Sequence, residues 1–441
     1  MLPTTPEFYC FVVLVFFAFW LLRRFRFAAI ALVCLANLFF VAKSGLIYLL
    51  LIPAAATSDF FIGRALFVTS RRPIRRLLVS LSLTINLGLI LSGRTGTLVL
   101  PLSLSFYAFQ ALTYTIDIYR RDANPAATYT EYLASVSFFP TVLAGPITRV
   151  SSLIPQWKWN GLALSSEDGS RALFLIGLGL AKKFLIADYL GNNLVNRVFD
   201  LPTLYSGGDV LVAVYAYAFQ LYYDFSGYSD IAVGAALLLG VRLPVNFNAP
   251  YRARNIADFW RRWHISFSNW LRDYLYFSLP GKRTRAMPYI NLIITMALGG
   301  LWHGLSWTFL IWGLIHGVSL ALFRLCQNRF RIPKLAASLL TFHVVLFAWI
   351  FFRASSIDTA LKILSQIAHF RFAFDNTTST FLAVLLLGIA AHFVAKSWRD
   401  RALTVFTRTP ALIQSAALAS LVLLIQRVAS TGAAPFIYTR F

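Results

Sequence analysis

Long apolar runs, separated by short connectors rich in arginine, set the character of this chain. They lie near residues 8–22, 27–42, 44–57, 77–92, 98–118, 132–150, 171–190, 208–242, 288–304, 305–326, 335–353, 379–396 and 411–428. A perpendicular membrane helix needs about 20 apolar residues, and several of these runs are shorter. The pattern therefore predicts about a dozen helices, some spanning and some tilted or re-entrant. The run at 208–242 reads as two helices split around Asp224 to Ser229. Loops are short except at 150–170, 243–290 and 354–378, and none is long enough for a separate soluble domain. The expected fold is an all-α polytopic membrane protein built as one domain over 1–441.

The stretch Asn255 to Gly317 departs from this pattern and organises the rest. In its first part Ile256, Phe259, Trp260, Trp263, Phe267, Trp270, Leu271 and Tyr274 recur at three, four and seven. At roughly 100° per residue they form one stripe, which predicts an amphipathic helix that lies along the membrane surface or packs across other helices and does not span. Asn255 suits the N-cap, and Asp258 and Arg262 fit an i,i+4 pair on the other face. His264 falls at the border of the stripe.

The second part is apolar from Pro288 and interrupted by Gly299-Gly300-Leu301-Trp302-His303-Gly304. If a span starts beside Lys282, Arg283 and Arg285, His303 lies about 22 Å further along at 1.5 Å per residue. Ionisable side chains at such depth are rare and usually face a cavity or pathway. The flanking glycines let another backbone or a ligand come close. His303 is the first candidate for chemistry.

Composition agrees with the membrane reading. Of 441 residues, 58% are hydrophobic and 13% charged, against roughly 25% charged in soluble domains. The net charge of +23 comes in groups such as 23–26, 71–76 and 120–121, between apolar runs. That distribution follows the positive-inside rule and leaves no basic face for nucleic acid. Met1 to Leu22 has Glu7 before its apolar run and arginines after it, opposite to a secretory signal, so it reads as a retained span with its N-terminus outside. Cys10, Cys34 and Cys326 are scattered and follow no disulfide or metal spacing.

Polar clusters inside apolar runs are further candidates. Leu221 to Asp230 holds Tyr222, Tyr223, Asp224 and Asp230, either lining a polar tunnel or binding a head group, or forming a buried hydrogen-bonded network that breaks the span. Lys182 and Lys183 read as a helix end snorkelling to the cytoplasmic interface. Arg242 to Arg252 reads as an ordered, Pro-containing connector. His343, His369 and His392 read as structural. His316 is thirteen residues from His303; on one continuous helix the two would stand about 140° apart. No close His/Asp/Glu pattern suggests a metal.

Taken together, Ser105 to Gln110, Tyr114 to Arg120, Phe138 to Ile147, YYDFSGYSDIAVG, LPVNFNAPYRARNIADFWRRWHISFSNWLRDYLYF, GGLWHG and Trp349 to Ala354 resemble the membrane-bound O-acyltransferases, in their bacterial alginate O-acetylase-like branch. The resemblance covers a core at 98–355, with N-terminal spans at 1–97 and C-terminal spans at 356–441. Ser103 stands where a glycine is usual, and Phe277 to Lys282 replaces a typical IPLGGN turn. The resemblance implies a ring of tilted helices around a tunnel, with His303 catalytic at its centre and His264 as the second histidine. It implies transfer of an acetyl group from a cytoplasmic donor, acetyl-CoA, with no bound cofactor, across a bacterial inner membrane for an exported polysaccharide. A periplasmic acetyltransferase or esterase-like partner and membrane lipid are the implied partners. His303 would act as general base; His264 or Asn269 would orient the donor or stabilise the oxyanion. Trp302, Arg262, Asp224 and Tyr223 are the further substrate-site candidates.

Two rival readings stand beside this one. A transporter or channel would use Asp224, Asp230, His303 and His316 as an ion path, although few of the seventeen acids lie within spans. The same fold could also transfer a longer acyl or an aminoacyl group, or acylate a lipid.

Overall fold

The computed structural model describes residues 5–94, 102–142, 145–158, 164–281, 284–327, 332–369 and 373–428. Leu143, Ala144, Lys282, Arg283, the tail from Thr431 and the side chain of Ser103 lie outside that description. Every regular element among the described residues is helical. Five helices are long and apolar enough to cross a membrane: Tyr48–Val68, Arg72–Ser92, Trp307–Cys326, Lys334–Arg353 and Ala411–Val428. The pair Ser379–Phe393 and Lys396–Arg408, bent by 94°, makes up to six. Pro6–Leu22 and Arg26–Ala42 are shorter apolar helices.

The chain divides into two compact units, Met1–Ile176 with Tyr228–Pro244, and Gly177–Gly227 with Val245–Phe441. In the first, buried polar side chains tie helices together. Asp59 accepts hydrogen bonds from Ser82 at 2.6 Å and Asn86 at 2.8 Å, and Ser82 bonds Thr115 at 2.9 Å. Such groups are costly in an apolar interior unless they are paired. The arginine groups do more here than mark a membrane side. Arg75 is buried and donates to the carbonyls of Leu66 and Thr69; Arg121 donates to Phe67 at 2.8 Å and Thr69 at 3.2 Å. Both thereby satisfy and complement the negative C-terminal end of Tyr48–Val68.

The run at 132–150 is not one span. Tyr129–Val136 ends at Ser137, a four-residue turn Phe139–Val142 follows, and Val150–Leu153 begins after a loop. Pro140 and Pro146 lack the donors of a continuous helix, and Asn37 accepts the Phe139 N–H at the break, 2.9 Å.

Two expectations in the second half are likewise corrected. Residues 208–242 do not split at Asp224; Gly207–Leu238 is one helix of 32 residues. Its backbone groups stay within the helix, and the buried acid at its middle finds a cation instead of a break. The stripe from Ile256 is not one helix either. Ile256–Trp260 stops, His264 takes the left-handed conformation at φ 40°, and Ile265–Trp270 begins again. A π-helical turn, Leu271–Leu275, then widens the coil. The stripe side chains are still buried, apart from the half-buried Trp270. The periodicity marks the burial, and a local turn sets the backbone.

Candidate active site

The site is built on a helical hairpin. Met287–His303 ends at His303, Gly304 to Ser306 turn the chain, and Ser306 caps Trp307–Cys326 by accepting the Phe309 N–H at 3.4 Å. The two helices run back along each other with backbones almost touching. A Cβ at Gly300 would collide with the Phe309 carbonyl, and one at Gly313 with the Met296 carbonyl. At Gly317 it would stand 2.7 Å from Ile293 Cα. The glycines around GGLWHG therefore serve helix-on-helix approach, as small residues do in membrane helix pairs. His303 ends up about 24 Å along its helix from Met287.

Aromatic rings wall His303. Trp302 lies 4.6 Å away, Phe352 4.9 Å, Trp312 5.1 Å at 90°, and Phe267 and Phe309 each 6.0 Å, centroid to centroid. The ring is only 3% exposed. His316 is fully buried between Phe259, Trp260, Trp312 and Trp349. Neither of its nitrogens has a hydrogen-bond partner among the described residues. Because the helix breaks at Gly304, the thirteen-residue separation does not turn these histidines apart. Both pack on the one ring of Trp312.

His264 reaches the same wall from its left-handed turn. That turn is fixed by Asn246, whose carbonyl oxygen accepts the Ile265 N–H at 2.9 Å. Asn246 Oδ1 accepts from Ser266 N at 3.2 Å and Ser266 Oγ at 2.9 Å. It also lies 3.1 Å from His264 Nδ1. As the amide oxygen is an acceptor throughout, His264 carries its proton on Nδ1 and a lone pair on Nε2. Burial pushes its pKa down to about 3, so the ring is neutral at ordinary pH. His264 stacks on Phe267 at 5.1 Å, and Phe267 in turn faces Trp302 at 4.6 Å. Phe267 thus lies against His264, Trp302 and His303.

The other candidates are placed as follows. Arg262 is held by Asp258 at 3.0 Å and by the Asn248 carbonyl at 3.3 Å, closing the connector onto the broken stripe. Asn269 is exposed. Tyr223 donates to the Gly388 carbonyl at 2.6 Å. Asp224 pairs with Lys183 at 2.7 Å, and Lys183 also meets Asp188 at 2.6 Å. Lys183 is therefore a buried partner, not a snorkelling helix end, because two acids on apolar helices need a cation. Asp188 and the part Asn246 plays in fixing His264 escaped the sequence reading. An acid within a span implies a partner, and that signal could have led to Lys183. His392 accepts the Tyr251 N–H at 3.2 Å, and His343 is exposed beside Tyr215. Among the described residues no group of three or more His, Cys, Asp or Glu could hold a metal.

Residues 126–357 match the family model of MBOAT, the membrane-bound O-acyltransferase family. The match spans His264, the hairpin and His303. The chain belongs to the membrane-bound O-acyltransferase family. It is accordingly a multi-pass membrane protein and an O-acyltransferase. The chain is 36% identical to a peptidoglycan O-acetyltransferase of Helicobacter pylori, over 75% of this chain and 72% of that protein. It is 42% identical to a probable alginate O-acetylase of Azotobacter vinelandii, over 62% of this chain and 54% of the relative. A teichoic acid D-alanyltransferase of Streptococcus thermophilus is 30% identical over 52% of this chain and 58% of its own length.

Proposed function

We propose that this membrane-bound O-acyltransferase is an O-acetyltransferase of the bacterial inner membrane. It passes acetyl groups from a cytoplasmic donor, acetyl-CoA, to a hydroxyl of an exported polysaccharide or of peptidoglycan, directly or through a periplasmic partner. The observation that carries this reading is His303, buried at the tip of a broken membrane hairpin and enclosed by rings. The acetyl group is favoured over D-alanyl by the identity to the acetylating relatives, 36% and 42% against 30%.

In the reaction, neutral His303 takes the proton of an acceptor hydroxyl as its oxygen attacks the thioester carbonyl. The C–S bond then breaks, and the departing thiolate recovers the proton from the imidazolium. A histidine suits both halves because its ordinary pKa of about 6.5 lies close to the working pH. The aromatic wall keeps water from the thioester. His264 takes a supporting part. With Nδ1–H committed to Asn246 and a pKa near 3, it presents a lone pair and no donor. Of its two candidate roles, orientation of the site fits that state, and hydrogen bonding to an oxyanion does not.

The test uses purified protein in nanodiscs with acetyl-CoA, acceptor glycan and, where required, the periplasmic partner. Thiol release in step with glycan acetylation, without any ion gradient, is expected. Gradient-driven flux without acetyl transfer would establish the transporter instead.

A further inference from the structure

Beside the histidine wall lies a cavity of about 430 Å³, lined by residues of the π-helical turn, the hairpin and the stripe. That volume falls within the range of small-molecule sites, about 300–1,000 Å³. Its body is apolar, formed by Leu271, Met296 and Leu320 among others, while Arg272 and Arg324 supply its charge. Arg324 stands in the last turn of its helix, donates to the Tyr276 hydroxyl at 3.0 Å and lies 5.8 Å from the Tyr289 ring. Arg272 sits one turn before Tyr276 and bonds Asp273 through Nε at 2.8 Å. Both arginines are exposed. Among the described residues no hydrogen bond engages the two Nη groups of Arg272 or the Nη2 of Arg324. Two guanidiniums beside an apolar cleft between membrane helices match a ligand with a hydrocarbon chain and an anionic head.

Two side chains of the cavity wall, Trp260 and Thr295, are only 7% and 5% exposed. Trp260 also packs on Trp312 at 5.9 Å and on His316 at 5.0 Å, and Trp312 packs on His303. The cavity is thus one ring away from the residues behind the catalytic candidate.

We infer that this cavity is a binding site for an anionic phospholipid, its phosphate held by Arg272 and Arg324 and an acyl chain lying against Leu271, Leu320 and Trp260. The lipid braces Trp260, and through it Trp312, from outside the reaction site. Lipid retention is read without donor or acceptor, so the test stands whether or not the acetyl donor is acetyl-CoA.

Native mass spectrometry of the full chain, released from detergent with dioleoyl phosphatidylglycerol or dioleoyl phosphatidylcholine, decides the matter. The unaltered protein should retain one phosphatidylglycerol in clear preference to phosphatidylcholine. Arg272→Gln with Arg324→Gln should weaken phosphatidylglycerol retention about thirtyfold, the worth of two basic residues at an anionic surface, and abolish the preference. Leu320→Trp, which narrows the cleft and keeps both charges, should lower retention of both lipids. Equal retention of the two lipids by the unaltered protein, or undiminished phosphatidylglycerol binding by the double variant, would overturn the site. Displacement of the bound lipid by acetyl-CoA at equimolar concentration would do so too, and would give the cavity to the donor.

Discussion

The unit that carries the hairpin buries its ionisable groups in two opposite ways. Around Lys183, charges answer charges: one ammonium lies 2.6 and 2.7 Å from two carboxylates, all nearly inaccessible. Around His303 and His316, imidazoles meet ring faces, and both His316 nitrogens go without a hydrogen bond among the described residues. The first arrangement can persist only while every member is present, because a stranded charge in an apolar interior is expensive. The second tolerates loss, since a neutral ring among rings leaves no charge behind. Burial alone therefore does not mark a catalytic group in this protein. The surroundings do: paired charges hold helices together, and neutral imidazoles lie among ring faces.

The comparison can be broken most directly at its reactive end. His303→Ala should lower acetyl transfer by about 10²–10⁴-fold, the usual worth of general-base help, while the protein inserts and elutes as the unaltered chain does. Transfer assays beside size-exclusion profiles check this. Near-normal transfer would remove His303 from the chemistry. At the charged end the outcome reverses. Lys183→Met strands two buried carboxylates and should cost about 3–5 kcal/mol, read as a lost or strongly lowered thermal transition in detergent. Replacing all three members, with Lys183→Met, Asp188→Leu and Asp224→Leu, should recover most of that stability. If the triple variant stays as unstable as the single one, the cluster does more than neutralise itself.

Between these extremes lies the hairpin seam. Gly313→Ala puts a methyl group against the Met296 carbonyl, which cannot rotate away as a side chain could. The two helices must part, at about 1–3 kcal/mol by analogy with overpacked cores. The parting moves His303 relative to Trp312, so transfer should fall more than stability does. Ala at Gly169, whose nearest neighbour is the side chain of Leu164 at 3.5 Å, gives the matched control.

The sequence made the apolar runs, the buried stripe and His303 legible because each is written in local spacing. The glycine-flanked WHG segment carries its own signal of close approach and depth. What stayed hidden depends on partners distant in the chain. The left-handed turn at His264 is held by Asn246, 18 residues earlier, and nothing in the period of the stripe announces that interruption. The uninterrupted helix through Asp224 depends on a lysine from another helix, so a polar patch in an apolar run looked like a break. On one straight helix His316 and His303 stand about 140° apart, and a single turn at Gly304 changes which residues His316 meets.

The smallest expected effect belongs to a histidine outside both arrangements. His343 is exposed, with Nε2 2.7 Å from the Tyr215 hydroxyl and Nδ1 2.8 Å from the Leu339 carbonyl. The contact at Nδ1 requires a donor, so Nδ1 carries the proton and Nε2 accepts from the tyrosine. His343→Ala removes both bonds midway along the apolar helix Lys334–Arg353, where the Tyr215 hydroxyl loses its acceptor, a loss of about 1 kcal/mol of stability. Transfer should remain within about twofold of the unaltered protein, since neither bond touches the ring-walled site. His392 is the poorer control, because His392→Ala would strand the buried Tyr251 N–H that it accepts at 3.2 Å and lower stability whatever its role in transfer. Transfer and melting temperature measured for both variants distinguish the cases. A large loss of transfer in His343→Ala at unchanged melting temperature would place an essential group outside the ring-walled site, and the contrast between paired charges and ring-walled imidazoles would no longer locate the chemistry.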